Sequence, residues 1–249
     1  IGPRLTLGIT VDPNSTPSDV ILWVASSSPT LDQGVPNSGA ITRLQGPNFA
    51  TVDHPITGLP RAIANHATNS IHFGPNGKLY IAQGGNTGAG APNTSNSEFG
   101  PMEEQPLSAA ILEADVFAPG FDGTCDNTGD IFGPPPCDVI VYSSGLRNMY
   151  DFAWHSNGNL YGPENGLGVT GTYPASGTAP CLGFANTSLH NPGPQNDYLM
   201  NLKFGQYYGH PNPHRNECVF KDGALQGVAP LPNYEAPIFD LGPNRSANG

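Results

Sequence analysis

Along this chain apolar and polar positions alternate in short blocks, and helical periodicity is nearly absent. The clearest block is SIHFGPNGKLYIAQGGN, residues 70–86. Ile71, Phe73, Leu79, Tyr80 and Ile81 are strand formers, and Gly74-Pro75-Asn76-Gly77 between them is turn chemistry: proline presets one backbone angle, and asparagine and glycine tolerate the left-handed region. The pattern predicts a β-hairpin. DFAWHSNGNLYGPENG, residues 151–166, repeats it with an Asn-Gly turn and a second Leu-Tyr. GITVDPNSTPSDVILWVASS, residues 8–27, is a looser copy with Leu22-Trp23 in the Leu-Tyr place. Single strands are expected around 40–44, 108–112 and 139–144. Leu107 to Val116 is the best short helix candidate and reads equally well as a strand.

Asn76 and Asn157 are 81 residues apart, which reads as two periods of about 40. A unit of ~40 residues with about four strands is the mark of a propeller blade. The expectation is therefore an all-β chain, a β-propeller in one domain over residues 1–249, with the two hairpins two blades apart. A sandwich of irregular hairpins is the alternative. The chain begins inside a strand pattern and ends as another hairpin starts, so the propeller is expected to be incomplete at both ends.

Composition adds direction. With 32 glycines, 27 prolines and only 12% charged residues, the chain reads as short strands joined by turn-rich loops. A formal charge of −11 disfavours nucleic acid and anionic membranes as partners. No apolar run approaches the ~20 residues of a membrane span. Four cysteines without a C-x-x-C spacing allow three pairings; Cys125–Cys137, stapling TCDNTGDIFGPPPC, with Cys181–Cys218 is the favoured one. Asn14, Asn93, Asn186 and Asn244 each open a glycosylation sequon. Sequons and paired cysteines together point to a secreted, extracellular glycoprotein.

Arg61, His66, Thr68, Asn69 and His72 crowd the first hairpin with more polar groups than a bare hairpin needs. Here the residues resemble a known family. NHATNSIHFGPNGKLYIAQGGNTGAG (65–90), YSSGLRNMYDFAWHSNGNLYGPENG (142–166) and NDYLMNLKFGQYYGHPNPHRNE (196–217) resemble, in order, three segments of the glucose/sorbosone dehydrogenase family, six-bladed propellers that include soluble enzymes dependent on pyrroloquinoline quinone (PQQ). The resemblance implies sugar oxidation with PQQ and calcium, a sugar or glycan as substrate, and roles for individual residues. His66, eight residues before Gly74-Pro75, matches the catalytic histidine, whose ordinary pKa of ~6.5 suits a base near neutrality. Arg147 and Asn148 match the Arg-Asn pair at the cofactor, with Arg147 stabilising developing negative charge. The backbone carbonyls around Gly166 and Leu167 match the calcium segment. This chain departs from the family in having Gly166-Leu167 for Gly-Pro, Leu146 and Met149 around Arg147-Asn148, and Asp197-Tyr198-Leu199-Met200-Asn201 for Asp-Glu-Leu-Asn.

Other candidates read as structural. Pro211 and Pro213 forbid the helix on which His210 and His214 could share zinc. Asp122, Asp126 and Asp130 lack the glycine and glutamate of an EF-hand and read as a solvated acidic loop. His72 is expected to be structural, and Trp23, Tyr80, Trp154 and Tyr161 to pack between blades. Two functions follow: a PQQ-dependent sugar dehydrogenase, or a non-catalytic extracellular propeller that binds a partner.

Overall fold

In the computed structural model, the described residues are 3–28, 34–93, 97–125, 137–168, 171–174, 181, 191–243 and 245. They form three antiparallel four-stranded sheets, each a meander of neighbouring strands. The first holds β1 (Leu5–Val11), β2 (Leu22–Ser27), β3 (Gly39–Gln45) and β4 (Thr51–Leu59). The second holds β5 (Thr68–Phe73), β6 (Leu79–Gln83), β7 (Ala110–Ala114) and β8 (Val139–Ser144). The third holds β9 (Ala153–Trp154), β10 (Leu160–Glu164), β11 (Asn196–Leu202) and β12 (Phe239–Pro243). The Leu107–Val116 segment is strand, as β7, buried along its length.

The two Asn-Gly hairpins open the second and third sheets, so they stand one sheet apart. This corrects the expected two-blade separation: 81 residues carry the chain from the second sheet to the third, because long connections flank β7 and enlarge the unit. Within the repeat the hairpins match bond for bond. Gly74 and Gly77 bond to Lys78 and Gly74 as His155 and Gly158 bond to Asn159 and His155. Asn76 Oδ1 accepts from the Lys78 amide and its Nδ2 donates to Tyr80 Oη; Asn157 does the same with Asn159 and Tyr161. Gly77 and Gly158 sit at φ 77° and 84°, the left-handed region that makes glycine the fitting residue there.

Two cores join the three sheets. Trp23, Ile41, Ile56, Ile71, Ile81 and Leu112 fill the first, and Tyr80, Ile111, Leu160, Met200 and Leu202 the second. The joints repeat as well. Trp23 of β2 meets Phe73 of β5 edge-on at 5.6 Å, and Tyr80 of β6 meets Trp154 of β9 edge-on at 5.2 Å. Tyr161 is half-buried, with its hydroxyl on Asn157 and Asn159.

Each of the first two sheets also receives a backbone segment from the next. Thr57 of β4 pairs in parallel with Thr124, from the connection between β7 and β8; Ser144 of β8 pairs in parallel with Tyr207, from the connection between β11 and β12. Disulfides join Cys125 to Cys137 and Cys181 to Cys218, and no described cysteine is free. Among the described residues no helix is long and apolar enough to cross a membrane.

Candidate functional site

His66 lies in the turn before β5 and is 2% exposed. That turn is tied from inside by Arg61, a fully buried guanidinium whose Nη1 donates to the carbonyls of Ala62, Ala64 and His66. His66 Nδ1 is 2.8 Å from the Gly85 carbonyl. A carbonyl only accepts, so Nδ1 carries the proton and Nε2 keeps the basic lone pair. Burial, followed by the positive charge of Arg147, pulls the His66 pKa well below its ordinary value.

Arg147 lies in the connection between β8 and β9. Its Nε donates to Gly88 O at 3.0 Å and its Nη1 to Gly166 O at 3.2 Å. Asn148 accepts at Oδ1 from Asn69, and its amide donates to Glu164 Oε1 at 3.2 Å. His66 and Arg147 share a neighbour in Phe99, whose ring centroid is 4.7 Å from the imidazole centroid and 5.7 Å from Arg147 Cζ. Gly84 makes the close packing possible: a Cβ there would stand 2.8 Å from both His66 Cβ and Asn148 Oδ1.

Arg147, Glu164, Gly166 and Leu167 line a cavity of about 340 Å³ together with His210, Lys221 and the rings of Tyr198, Tyr208, Phe220 and Tyr234. That volume lies within the ~300–1,000 Å³ range of small-molecule sites. His66 is not on its wall. The cavity holds two cations, Arg147 and Lys221, neither of which forms an ion pair among the described residues. Lys221 Nζ instead lies 2.6 Å from Gln195 Oε1 and 4.9 Å from the Tyr198 ring centroid. The other two lysines, Lys78 and Lys203, are paired with Glu113 and Glu235. Glu164 is 6% exposed; Oε1 accepts from the Asn148 amide, and among the described residues no hydrogen bond is found to Oε2. Burial raises the Glu164 pKa to about 8, against the lowering pull of Asn148 and Arg147.

The carbonyls expected to hold calcium are both engaged. Gly166 O accepts from the Arg147 guanidinium, and Leu167 O accepts from the Gln195 amide at 2.7 Å. A divalent cation at Gly166 O would sit against a fixed positive charge, and the described residues contain no cluster of three acidic, histidine or cysteine ligands. These residues do not fit a calcium site.

His210 and His214 diverge around a single 3₁₀ turn, Pro213–Arg215. His210 Nε2 bonds to Glu104 at 2.8 Å, and His214 Nε2 is 3.7 Å from Glu103. Glu104 is buried and also accepts from Ser108, Thr87 and the Asn86 amide. Burial alone would raise its pKa, but these bonds, led by His210, outweigh it and bring it to about 2. His72 bonds to Asp151 at 2.8 Å, at a half-exposed position. Asp122 closes a local turn onto Thr124, whereas Asp126 and Asp130 lie outside the described residues. Asn14 is exposed in a turn and Asn93 is half-buried; Asn186 and Asn244 lie outside the described residues.

Glu164 and Lys221 on the cavity wall, Phe99 between His66 and Arg147, and Glu104 behind His210 are the residues that sequence reasoning missed. One signal was present for Glu164: it stands 81 residues after Gln83, in the same place of the repeat.

No family model matches this sequence, and no curated protein matches it. Solved structures do. The PQQ-bound aldose sugar dehydrogenase of Streptomyces coelicolor is 22% identical, with a TM-score of 0.54, over 97% of this chain and 55% of that one. A Thermus thermophilus protein described as an oxidoreductase (glucose dehydrogenase) is 20% identical, with a TM-score of 0.54, over 96% and 57%. The PQQ domain of the Coprinopsis cinerea pyranose dehydrogenase is 15% identical, with a TM-score of 0.50, over 82% and 42%. The chain thus spans about half the length of the solved structures that it resembles, and over that span it has the sugar dehydrogenase propeller fold.

Proposed function

We propose that this chain forms the quinone-binding part of a PQQ-dependent sugar dehydrogenase-like protein, with residues 1–249 as one propeller domain. The observation that carries this reading is the cavity. In a chain of net charge −11, two cations that form no ion pair among the described residues share a wall with aromatic residues and with a carboxyl whose pKa burial raises. Such a wall suits a flat molecule bearing several carboxylates, which PQQ is. Arg147 and Lys221 would hold its carboxylate or quinone oxygens, and Asn148 would fix the segment that carries Arg147. When bound, the quinone supplies a two-electron acceptor for hydride from the sugar.

His66 has the form a general base needs. Its proton is fixed on Nδ1 by Gly85, its Nε2 lone pair is basic, and burial keeps the ring neutral. In that role it takes the proton of the sugar's anomeric hydroxyl. An extracellular site of action fits the two disulfides and the sequon at the exposed Asn14.

The second reading, a non-catalytic propeller that binds an extracellular partner, is favoured by one observation: His66 is not on the cavity wall. One experiment separates the two. The chain is titrated with PQQ by calorimetry and assayed for dye reduction with a panel of aldoses. The dehydrogenase reading expects saturable binding, weakened about tenfold or more in Arg147→Met, and turnover that His66→Ala abolishes while binding persists. Binding without turnover supports the second reading, and no binding at tens of micromolar PQQ removes the first.

A further inference from the structure

His210 lines the cavity, and its ring is held from behind by Glu104. The backbone around it is pinned. The His210 amide donates to Gly145 O at 2.8 Å, and the Lys221 amide donates to Gly209 O at 2.8 Å. Gly209 sits at φ 107°, where a Cβ would stand 2.7 Å from Lys221 Cα.

Glu104, from the connection between β6 and β7, is buried, and among the described residues its carboxylate meets donors only. Oε1 accepts from the Thr87 amide at 3.0 Å, the Thr87 hydroxyl at 2.6 Å and His210 Nε2 at 2.8 Å. Oε2 accepts from the Asn86 amide at 3.0 Å and from the Ser108 hydroxyl. Both hydroxyls already accept from elsewhere, Thr87 Oγ1 from the Gly90 amide and Ser108 Oγ from the Gln105 amide. Neither carboxylate oxygen has room for a proton. Glu104 is thus an anion, and His210 Nε2 carries a hydrogen.

The other ring nitrogen is the free one. Nδ1 makes no hydrogen bond among the described residues, and it is not sealed from the space that His210 lines. Glu104 favours a second proton on the ring. Against it stand two cations in the same cavity, Arg147 and Lys221, and the absence among the described residues of any acceptor for an Nδ1 proton. The neutral ring, with its lone pair on Nδ1, leaves no donor stranded.

We propose that His210 is a ligand-binding residue whose Nδ1 accepts a hydrogen bond from an N–H or O–H of the molecule in the cavity, with Glu104 as the positioning residue that fixes which nitrogen faces it. The inference rests on the cavity being the ligand site and not on the ligand being a quinone. It supplies what Arg147 and Lys221 cannot, since both only donate. A ligand with a donor in that place is selected over one that offers acceptors alone. PQQ has one such donor, its pyrrole N–H, and a sugar has its hydroxyls.

Nitrogen-15 spectra of the histidine-labelled, ligand-free chain at pH 7 read the ring directly, the His210 signals being those missing from His210→Gln. A protonated Nε2 with a bare Nδ1 is expected. An imidazolium, or a proton on Nδ1 alone, would overturn the proposal. In Glu104→Gln the single tautomer should give way to exchange between the two, and an unchanged His210 spectrum would remove the positioning role. Calorimetric titration follows with two probes, PQQ and 1,5-anhydroglucitol, which keeps a sugar's hydroxyls except the anomeric one. His210→Gln keeps a donor toward Glu104 but no acceptor in the place of Nδ1, and its affinity for at least one probe should fall about tenfold. His210→Asn, which keeps an acceptor near that place, should bind more like wild type. A fall for PQQ assigns the bond to the N–H, and a fall for the polyol alone assigns it to a hydroxyl. Unchanged affinity of His210→Gln for every probe that wild type binds would overturn this inference and leave the quinone reading standing. Binding of the polyol alone, weakened in His210→Gln, would remove the quinone reading and leave this inference standing. Binding of neither probe would overturn both.

Discussion

His66 and Arg147 make the same hydrogen bond one sheet apart. His66 Nδ1 donates to Gly85 O, and Arg147 Nη1 donates to Gly166 O; donor and acceptor both move by 81 residues, the offset of the two hairpins. A single residue also links them, since the Gly85 amide donates to the Arg147 carbonyl at 2.8 Å. The base and the cation of the proposed chemistry are therefore equivalent positions of one repeated unit. This places them at matching ends of neighbouring sheets, although only Arg147 lines the cavity.

Gly84 should tolerate no side chain. In Gly84→Ala the new Cβ meets His66 and Asn148 together, at a cost of about 1–3 kcal/mol. Gly158→Ala, with open space but φ 84°, should cost about 1–2 kcal/mol from backbone strain alone. Thermal denaturation measures both losses. Only Gly84→Ala should also move the His66 imidazole resonances, and unmoved resonances would mean that the packing relaxes elsewhere.

The two aromatic joints should behave alike. Trp23→Ala should cost about 3–5 kcal/mol, because the indole is buried and its Nε1 also bonds Asp12. Double-mutant cycles on Trp23–Phe73 and Tyr80–Trp154 should each return a coupling of about 0.5–1.5 kcal/mol. A coupling near zero in the second pair would show that the likeness of the joints is geometric only.

Acid should unfold the chain partly through Glu104. Its folded pKa of about 2 lies below the ordinary 4.5, so the stability it contributes is present above pH 4.5 and is lost as pH falls through 2. The loss is on the order of 3 kcal/mol. Denaturant midpoints from pH 6 to pH 2 would follow it. Glu104→Gln should be less stable at pH 6, because His210, Ser108 and Thr87 lose a charged acceptor, and its stability should depend less on pH in this range.

Replacing Cys125 and Cys137 by alanine should cost about 2–4 kcal/mol. The local signature is hydrogen exchange. The amides of Thr57 and Cys125, which bond to Gly123 O and Thr57 O, should lose protection before the central strands β2 and β6 do. Unchanged protection at Thr57 would mean that the strand pairing holds without the disulfide.

Much of the fold was legible because alternation and Asn-Gly turns are local signals: Ile71, Phe73, Leu79 and Ile81 mark their strands unaided. The blade period was not, because a spacing of about 80 reads equally well as one enlarged unit or as two small ones. The long connections around β7 decide it, and their pairing with β4 is a contact between sheets. Arg147 was found at the cavity by resemblance, and Glu164 and Lys221 were not found. What distinguishes those two is that, among the described residues, Lys221 forms no ion pair and Glu164 Oε2 is given no hydrogen bond, and such an absence exists only in three dimensions.

The parallel segments lent by one sheet to the sheet before it have a consequence for behaviour at high concentration. An outer strand such as β4 or β8 would otherwise offer a row of open amides and carbonyls to any passing chain. Thr124 and its neighbours cover part of that row on β4, and Gln206 to Tyr208 do so on β8. The disulfide at Cys125 makes the first cover covalent. Reduction would thus do more than loosen a loop. It would uncover a sticky edge, and the first sign of damage in a reducing medium should be self-association of otherwise folded molecules.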